Sequence, residues 1–333
     1  MDELIQKIES SYGLSVKDVV LIRSSDDNDT YKIVADRGIF FGRLSKRKNK
    51  DSLSIDSELA FIKHLNSNSI PVAGVIPSKD GKDFNYMEGT PLVIFEWIDG
   101  VVGCVSKGKY LPSEKAYNAG RTLAALHNAS VKYPNECILD RKLTTEMKRI
   151  EDFREEILKR YTDGKEFMKT IARLIEFAEK YSAQKHIIIH NDFRPQNVLF
   201  GLNGERENIV VGIVDFDWMC LAPPIKDLAL ALVEWSFADG DVSADLESLR
   251  AFLSGYVQDI DAKYIPTAQD VAQWIEYACL SDVATYISDT ITYEESQEIS
   301  GATEAKELRS YMLSKAKYFR SMDFEEIFRD IHQ

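Results

Sequence analysis

Two short stretches carry side chains that can do chemistry together. His190-Asn191-Asp192 closes the apolar run Ile187-Ile188-Ile189, and Asn197 follows Asp192 by five residues. A second apolar run, Ile209 to Val214, delivers Asp215-Phe216-Asp217. Carboxylates and an amide at the ends of two strand-like runs suit phosphoryl transfer from a magnesium nucleotide. One Asp orients or deprotonates the attacking hydroxyl, while the Asn and the other Asp hold metal. Asp192 is then the base, and Asn197 and Asp215 are metal ligands. Asp217, two residues along an extended segment, points the same way as Asp215 and takes a second magnesium. The competing reading is that these are turn residues, where Asp and Asn are favoured in any case. His190 stands at no metal-ligand spacing from another histidine and reads as a structural hydrogen-bonding residue. Arg194 is open between a phosphate contact and a surface ion pair.

A chain of 333 residues is long enough for two lobes around such a site. Residues 1–20 read as a short helix ending in a turn at Gly13, with Leu4, Ile5, Ile8 and Tyr12 on one face. Strands are expected at Val19–Arg23, Thr30–Ala35, Ile39–Leu44, Val72–Ile76 and Pro91–Trp97, with one helix at Asp56–Asn66 between them. Ile98-Asp99-Gly100 reads as a linker, after which helical spacing dominates. Helices are expected from Ser113, as a cap, to Ala129, and at Thr144–Arg160, Lys165–Ala183 and Ile225–Phe237. Four or five more follow, one opening on a capping box at Thr267 and Asp270.

With 41 basic against 54 acidic residues, the net charge of −13 excludes a nucleic-acid platform. The one basic cluster, Arg43 to Lys50, reads as a solvated turn. From Asp239 onward 19 Asp and Glu face 8 Lys and Arg, so −11 of the −13 lies there. That is either solvated helix faces or a pocket for a cationic ligand. No apolar stretch reaches membrane-spanning length, and the acidic, amphipathic N-terminus is no signal peptide. Cys104, Cys137, Cys220 and Cys279 show no metal-ligand rhythm and read as buried thiols of a reducing compartment, so the expected location is cytoplasmic.

HNDFRPQNVLF together with IVDFDW resembles the phosphotransferase family that includes aminoglycoside phosphotransferases, choline kinases and type II homoserine kinases. That family shares the bilobal fold of protein kinases. The resemblance is strong over residues 186–230 and extends in lobe order, loop order and length along the chain. It implies an α+β protein: a nucleotide-binding lobe over 1–98, with a small antiparallel sheet and one helix, and a larger helical lobe over 99–333 with the catalytic loop and substrate pocket. It implies Mg2+ and ATP as cofactors, with GTP open. Arg43 falls where the family carries a phosphate-gripping cation, and Glu58 where a helix acid pairs with it. The backbone of Glu96 and Ile98 falls at the hinge that meets the adenine edge. Asp227 matches an acid that supports the catalytic loop from a helix start. Two departures stand out. The first turn, Ser24 to Asp29, has no glycine and three carboxylates, which repel phosphates, so it either lies away from the nucleotide or acts through Asn28 and Thr30. Position 43 is Arg, whose planar fork still binds phosphate.

Eleven residues separate Asp215 from Asp227, and no Ala-Pro-Glu occurs. That leaves no room for the activation segment of a eukaryotic-type protein kinase. The expectation is a kinase for a hydroxyl of a small molecule, with the acidic C-terminal helices pointing to an amine-bearing acceptor such as an aminoglycoside, amino alcohol or homoserine. The alternatives are a nucleotide-binding pseudokinase and a protein-phosphorylating member of the same family. The oligomeric state is not legible.

Overall fold

The computed structural model describes residues 1–25, 28–46, 52–134, 139, 141–181, 186–202, 204–238 and 240–331. The short apolar runs of the first hundred residues fold as β1 (Val16–Ser24), β2 (Asn28–Ala35), β3 (Gly38–Ser45), β4 (Asn85–Met87) and β5 (Thr90–Glu96). Their order among the described residues is β1-β2-β3-β5-β4, and every pairing is antiparallel. α1 (Asp2–Tyr12) lays Leu4, Ile8 and Tyr12 against Ile33, Leu92 and Ile94 of this sheet. It stops at Gly13, whose left-handed φ of 67° lets the N–H close back on Glu9 at 3.1 Å.

α2 (Ser52–Ser67) begins earlier than its apolar spacing indicates and belongs to a different core. Leu59, Phe61, Ile62 and Leu65 join the large cluster built by the C-terminal half, and the Phe61 ring lies edge-on to Phe216 at 6.3 Å. The strand expected at Val72–Ile76 is absent. Between Pro71 and Pro77, both without an N–H, the segment makes only isolated bridges, Val72 to Ile213 and Val75 to Phe95. Its carbonyls instead serve both halves: Pro71 accepts from Ile213 N–H at 2.7 Å, and Gly74 from Glu96 N–H at 2.8 Å. The segment is a strap, and it fixes the sheet relative to the site below.

Past the linker come β6 (Val101–Val102), α3 (Ser113–Ser130), α4 (Thr145–Arg149), α5 (Arg154–Arg160) and α6 (Gly164–Tyr181). The expected helix over 144–160 is interrupted by a 3-10 turn at Ile150–Phe153, and Ser113 is the first helical residue rather than a side-chain cap. β7 (Ile187–Ile189), β8 (Val198–Phe200), β9 (Val210–Ile213) and β10 (Cys220–Ala222) then form two small ladders, β10-β7 and β6-β8-β9. α7 (Pro224–Ser236), α8 (Leu246–Asp259), α9 (Ala268–Glu295), α10 (Ile299–Arg320) and α11 (Phe324–Ile331) complete the described chain. α9 opens on the reciprocal Thr267–Asp270 capping box.

Two glycines set how closely α3 and α8 cross. A Cβ on Gly120 would stand 2.0 Å from the Phe252 carbonyl oxygen, and one on Gly255 would stand 2.1 Å from that of Tyr117. The backbones touch, which brings His127 of α3 and Tyr256 of α8 together at 2.9 Å.

Cys220 and Cys279 are buried, but Cys104 is exposed, and Cys137 lies outside the described residues. Arg43 does not lie in a solvated turn, because β3 continues through it to Ser45 and buries it; 47–50 lie outside the described residues. No described helix is long and apolar enough to cross a membrane.

Candidate active site

β7 ends at Ile189, and the chain turns sharply through Asn191, whose φ of 63° is left-handed. Among non-glycine residues Asn and Asp tolerate this region best. The turn is held from three sides. Asp227, at the start of α7, accepts the N–H groups of His190 and Asn191, each at 2.9 Å. Trp235 donates its indole N–H to the Phe193 carbonyl at 2.9 Å, and Asn191 Nδ2 donates to the Trp218 carbonyl at 3.0 Å. His190 links this loop to the next. Its Nε2–H donates to the Val214 carbonyl at 3.0 Å, and its Nδ1 accepts the Asp192 N–H at 3.3 Å. Burial lowers its pKa, in keeping with a neutral ring protonated on Nε2.

Asp192 emerges from this turn 8% exposed. Asn197 Nδ2 donates to its Oδ2 at 2.8 Å and to its backbone carbonyl at 2.9 Å. Arg194 places Nε 2.6 Å and Nη2 2.5 Å from Oδ1. Burial pushes the carboxyl pKa up to about 6 even though the Arg194 charge and both sets of hydrogen bonds oppose it. The Asp192 carboxylate is therefore oriented, largely dry and ionised at neutral pH.

Asp215 follows β9 with φ 68° and ψ 65°, a second left-handed non-glycine residue at the same site. The two loops are stitched together by Val214 N–H, which donates to the Asn197 carbonyl at 3.0 Å. Burial first, then the charges of Asp217 and Asp192, raise the Asp215 pKa. Such mutual repulsion favours an arriving cation. Because Asn197 spends Nδ2 on Asp192, its amide oxygen is left for a ligand. Among the described residues no three His, Cys, Asp or Glu can hold a metal unaided. A carboxylate with an amide oxygen is nonetheless the sparse protein set to which magnesium adds phosphate oxygens and water.

Asp217 is placed differently from the sequence expectation. Its Oδ1 lies 2.9 Å from Arg43 Nη1, and its Oδ2 accepts from Asn28 Nδ2 at 2.5 Å. Arg43 also pairs with Glu58 at 2.7 Å, and all three charged groups are nearly buried. Both Asp217 oxygens are thus engaged by the N-terminal sheet, and ligation of a second metal requires that pair to open. The glycine-free turn reaches the site through Asn28, and Lys46 neutralises Asp29 at 2.8 Å; Asp26 and Asp27 lie outside the described residues. Thr30 is not brought to the site, since its hydroxyl donates across the hairpin to the Arg23 carbonyl at 3.3 Å. At the expected hinge the Glu96 N–H is committed to the Gly74 carbonyl at 2.8 Å, which leaves its own carbonyl for a ligand. Ile98 packs on Gly212, where a Cβ would stand 2.9 Å from Ile98 Cδ1.

Several groups around the site were missed in the sequence. His127 donates from Nε2 to Asp227 at 3.1 Å, and Tyr256 Oη lies 2.9 Å from its Nδ1. The signal was a histidine on the apolar face of α3. Beyond Arg194 lies a mixed-charge wall. Lys315 of α10 pairs with Glu234 of α7 at 3.1 Å and rests over the rings of Tyr311 and Phe237. Asp282 of α9 feels the charges of Glu234, Arg194, Lys315 and Asp192, and burial pushes its pKa up to about 7. A charged residue inside the apolar run of α7 was the readable sign of Glu234. Elsewhere the acidic tail is paired or solvated: Glu276 with Arg320 at 2.7 Å and Arg173 at 2.9 Å, Asp289 with Arg149 at 3.4 Å.

Comparison with known proteins places the chain in a family. The model of the phosphotransferase enzyme family matches residues 18–265. A homoserine kinase of Beijerinckia indica is 24% identical over 232 residues, covering 69% of this chain and 68% of its own. A homoserine kinase of Zymomonas mobilis is 26% identical over 265 residues, covering 75% and 73%. Among solved structures, an amicoumacin kinase in complex with AMP-PNP, Ca2+ and Ami superposes with a TM-score of 0.72 at 14% identity, covering 98% of this chain and 96% of its own. A microcompartment-associated aminopropanol kinase gives 0.64 at 19% identity, covering 99% and 98%. At such identities the structural matches establish the protein-kinase-like fold. With a family match across most of its length and this catalytic stretch, the chain belongs to the phosphotransferase enzyme family, as an enzyme that moves a phosphoryl group onto an alcohol.

Proposed function

We propose that the protein is a magnesium–ATP-dependent kinase for a hydroxyl on a small, amine-bearing molecule, working in the cytosol. Residues 1–98 serve as the nucleotide lobe, and residues 99–333 carry the catalytic loop and the acceptor pocket. The observation that carries this reading is the Asp192 carboxylate, buried and oriented by the Asn197 side chain at 2.8 Å, while the Asn197 backbone carbonyl accepts from Val214 N–H of the Asp215 loop. The acceptor O–H bond breaks as its proton passes to Asp192. The oxygen's electron pair forms the bond to the γ-phosphorus, and the bond to the β–γ bridging oxygen breaks, its pair leaving on ADP. Asp215 and the Asn197 amide oxygen hold magnesium, which supplies charge neutralisation at the phosphate oxygens. Arg43, supported by Glu58, grips phosphate, and the Glu96 carbonyl with the Ile98 backbone meets the purine edge. The acids whose charges act on Arg194 support the amine preference: Glu234 already has Lys315 at 3.1 Å, and Asp282 is the other.

The test is a coupled ADP-release screen over aminoglycosides, choline, homoserine, amino alcohols, sugars and methylthioribose, with ATP and GTP as donors. Turnover on an amine-bearing alcohol, lost in Asp192→Ala while nucleotide still binds, is the expected result. Binding without turnover on any acceptor indicates a nucleotide-binding module instead, and label appearing on lysate proteins indicates a protein kinase.

A further inference from the structure

The base of the proposed reaction is covered. Arg194 sets two donors, Nε at 2.6 Å and Nη2 at 2.5 Å, on one oxygen of Asp192, while Asn197 takes the other. A guanidinium there weakens the carboxylate as a proton acceptor and occupies the approach to Oδ1. The contact is not a closed structural pair. The Arg194 side chain is 40% exposed against 12% for Asp192. The guanidinium is therefore partly open to solvent and can meet a further anion. Behind it, Glu234 and Asp282 are near enough for their charges to act on it. Glu234 is already matched by Lys315 at 3.1 Å. Were the acceptor only cationic, its ammonium would be brought up near a partly exposed guanidinium, a like charge that a carboxylate on the acceptor would offset.

Resting on the kinase reading above, we propose that Arg194 is a removable cover on Asp192 and that the physiological acceptor carries an anionic group, a carboxylate, that draws the guanidinium away from the base. The acceptor is then a zwitterion: a carboxylate on Arg194, an ammonium toward Asp282, and a hydroxyl delivered to the uncovered Oδ1. Arg194 is a specificity-determining residue, because the fork that recognises the anion is the one that masks the base. In the absence of acceptor the cover suppresses transfer to water. A doubly cationic aminoglycoside lacks the group that lifts it.

The test uses the full-length protein at pH 8, where Asp192 is ionised, and three acceptors of matched length. Homoserine carries both charges, 3-aminopropan-1-ol lacks the carboxylate, and 4-hydroxybutyrate lacks the ammonium. Wild type is expected to favour homoserine over 3-aminopropan-1-ol by at least about tenfold in kcat/KM. In Arg194→Gln that preference collapses, acceptor-free ATP hydrolysis rises several-fold, and the Kd for magnesium–AMP-PNP stays unchanged. Arg194→Lys retains the charge without the fork and falls between the two.

Equal losses on homoserine and 3-aminopropan-1-ol, with weaker nucleotide binding, make Arg194 a ligand of the nucleotide phosphates and overturn the proposal. So does acceptor-free hydrolysis that stays flat or falls in Arg194→Gln, and so does a wild type indifferent to the carboxylate. A wild type that neither binds magnesium–ATP nor turns it over sinks the kinase reading itself and this proposal with it. Bound ATP with hydrolysis untouched by Arg194→Gln sinks the cover alone.

Discussion

His127 Nε2 lies 3.1 Å from Asp227 Oδ2, and both side chains are fully shielded from solvent. Burial alone would raise the Asp227 pKa, but the His127 hydrogen bond and charge and the His190 contacts hold it below the usual carboxylate value. The same carboxylate carries the N–H groups of His190 and Asn191, so His127 fixes the anchor on which the catalytic turn hangs. His127→Ala removes a buried donor and is expected to cost about 1–3 kcal/mol in chemical denaturation. It should lower kcat more than it changes nucleotide KM, and His127→Gln should restore part of the loss.

Under the proposed reading Asp192 is the base and sets the acidic limb of the rate profile. With Asp192 pushed up to about 6 by burial, kcat/KM should rise with pH to a plateau and show an apparent pKa near 6. Arg194 opposes the burial effect, so Arg194→Gln moves the limb to higher pH. Asp192→Ala should drop transfer by roughly 10²–10⁴-fold while leaving magnesium–AMP-PNP affinity in place by calorimetry.

Arg43 bridges Glu58 at 2.7 Å and Asp217 at 2.9 Å in a nearly buried triad. Arg43→Met removes the buried cation that bridges two carboxylates, for an expected destabilisation of about 3–5 kcal/mol in a urea titration. Asp217→Asn leaves Arg43 its Glu58 partner and should cost far less. If magnesium–nucleotide binding opens the Arg43–Asp217 pair, its affinity in Asp217→Asn separates metal ligation from latching: a large loss marks a ligand, a gain marks a latch.

The α3–α8 crossing tolerates no side chain at Gly120, where a Cβ would stand 2.0 Å from the Phe252 oxygen. Gly120→Ala forces the helices apart and separates His127 from Tyr256. We expect a loss of about 2 kcal/mol or more, read as a fall in Tm, together with reduced kcat.

Asp282, pushed up to about 7 by burial, gives the protein a stability term with a definite sign. A carboxyl whose folded pKa lies above its unfolded value contributes stability below the unfolded pKa and loses it as pH rises through the folded one. Asp282→Asn should therefore raise Tm by a few degrees at pH 8, with the gain shrinking toward pH 5. Under the proposed reading it should also raise KM for amine-bearing acceptors.

What was legible in the sequence follows the range of the contacts involved. The Asp192–Asn197 spacing and the Asp215 run were readable because a strand end and one turn bring those residues together whatever the rest does. The antiparallel sheet, α1 and the Thr267 box were readable for the same reason. The strand expected at 72–76 failed because its prolines and long-range partners override local pattern, and the helix over 144–160 broke at a 3-10 turn that apolar spacing does not reveal.

Charged partners were decided only by tertiary structure. Asp217 reads as a metal ligand in sequence and folds onto Arg43 and Asn28, 174 and 189 residues away. His127 reaches Asp227 across 100 residues. Lys315, Glu234, Asp282 and Arg194 meet from three helices and a loop. Spacing along the chain determines which groups a turn presents. Burial and the packing of distant helices determine which charge finds which, because a charge taken out of water is tolerated only where the fold brings it a partner or shifts its pKa.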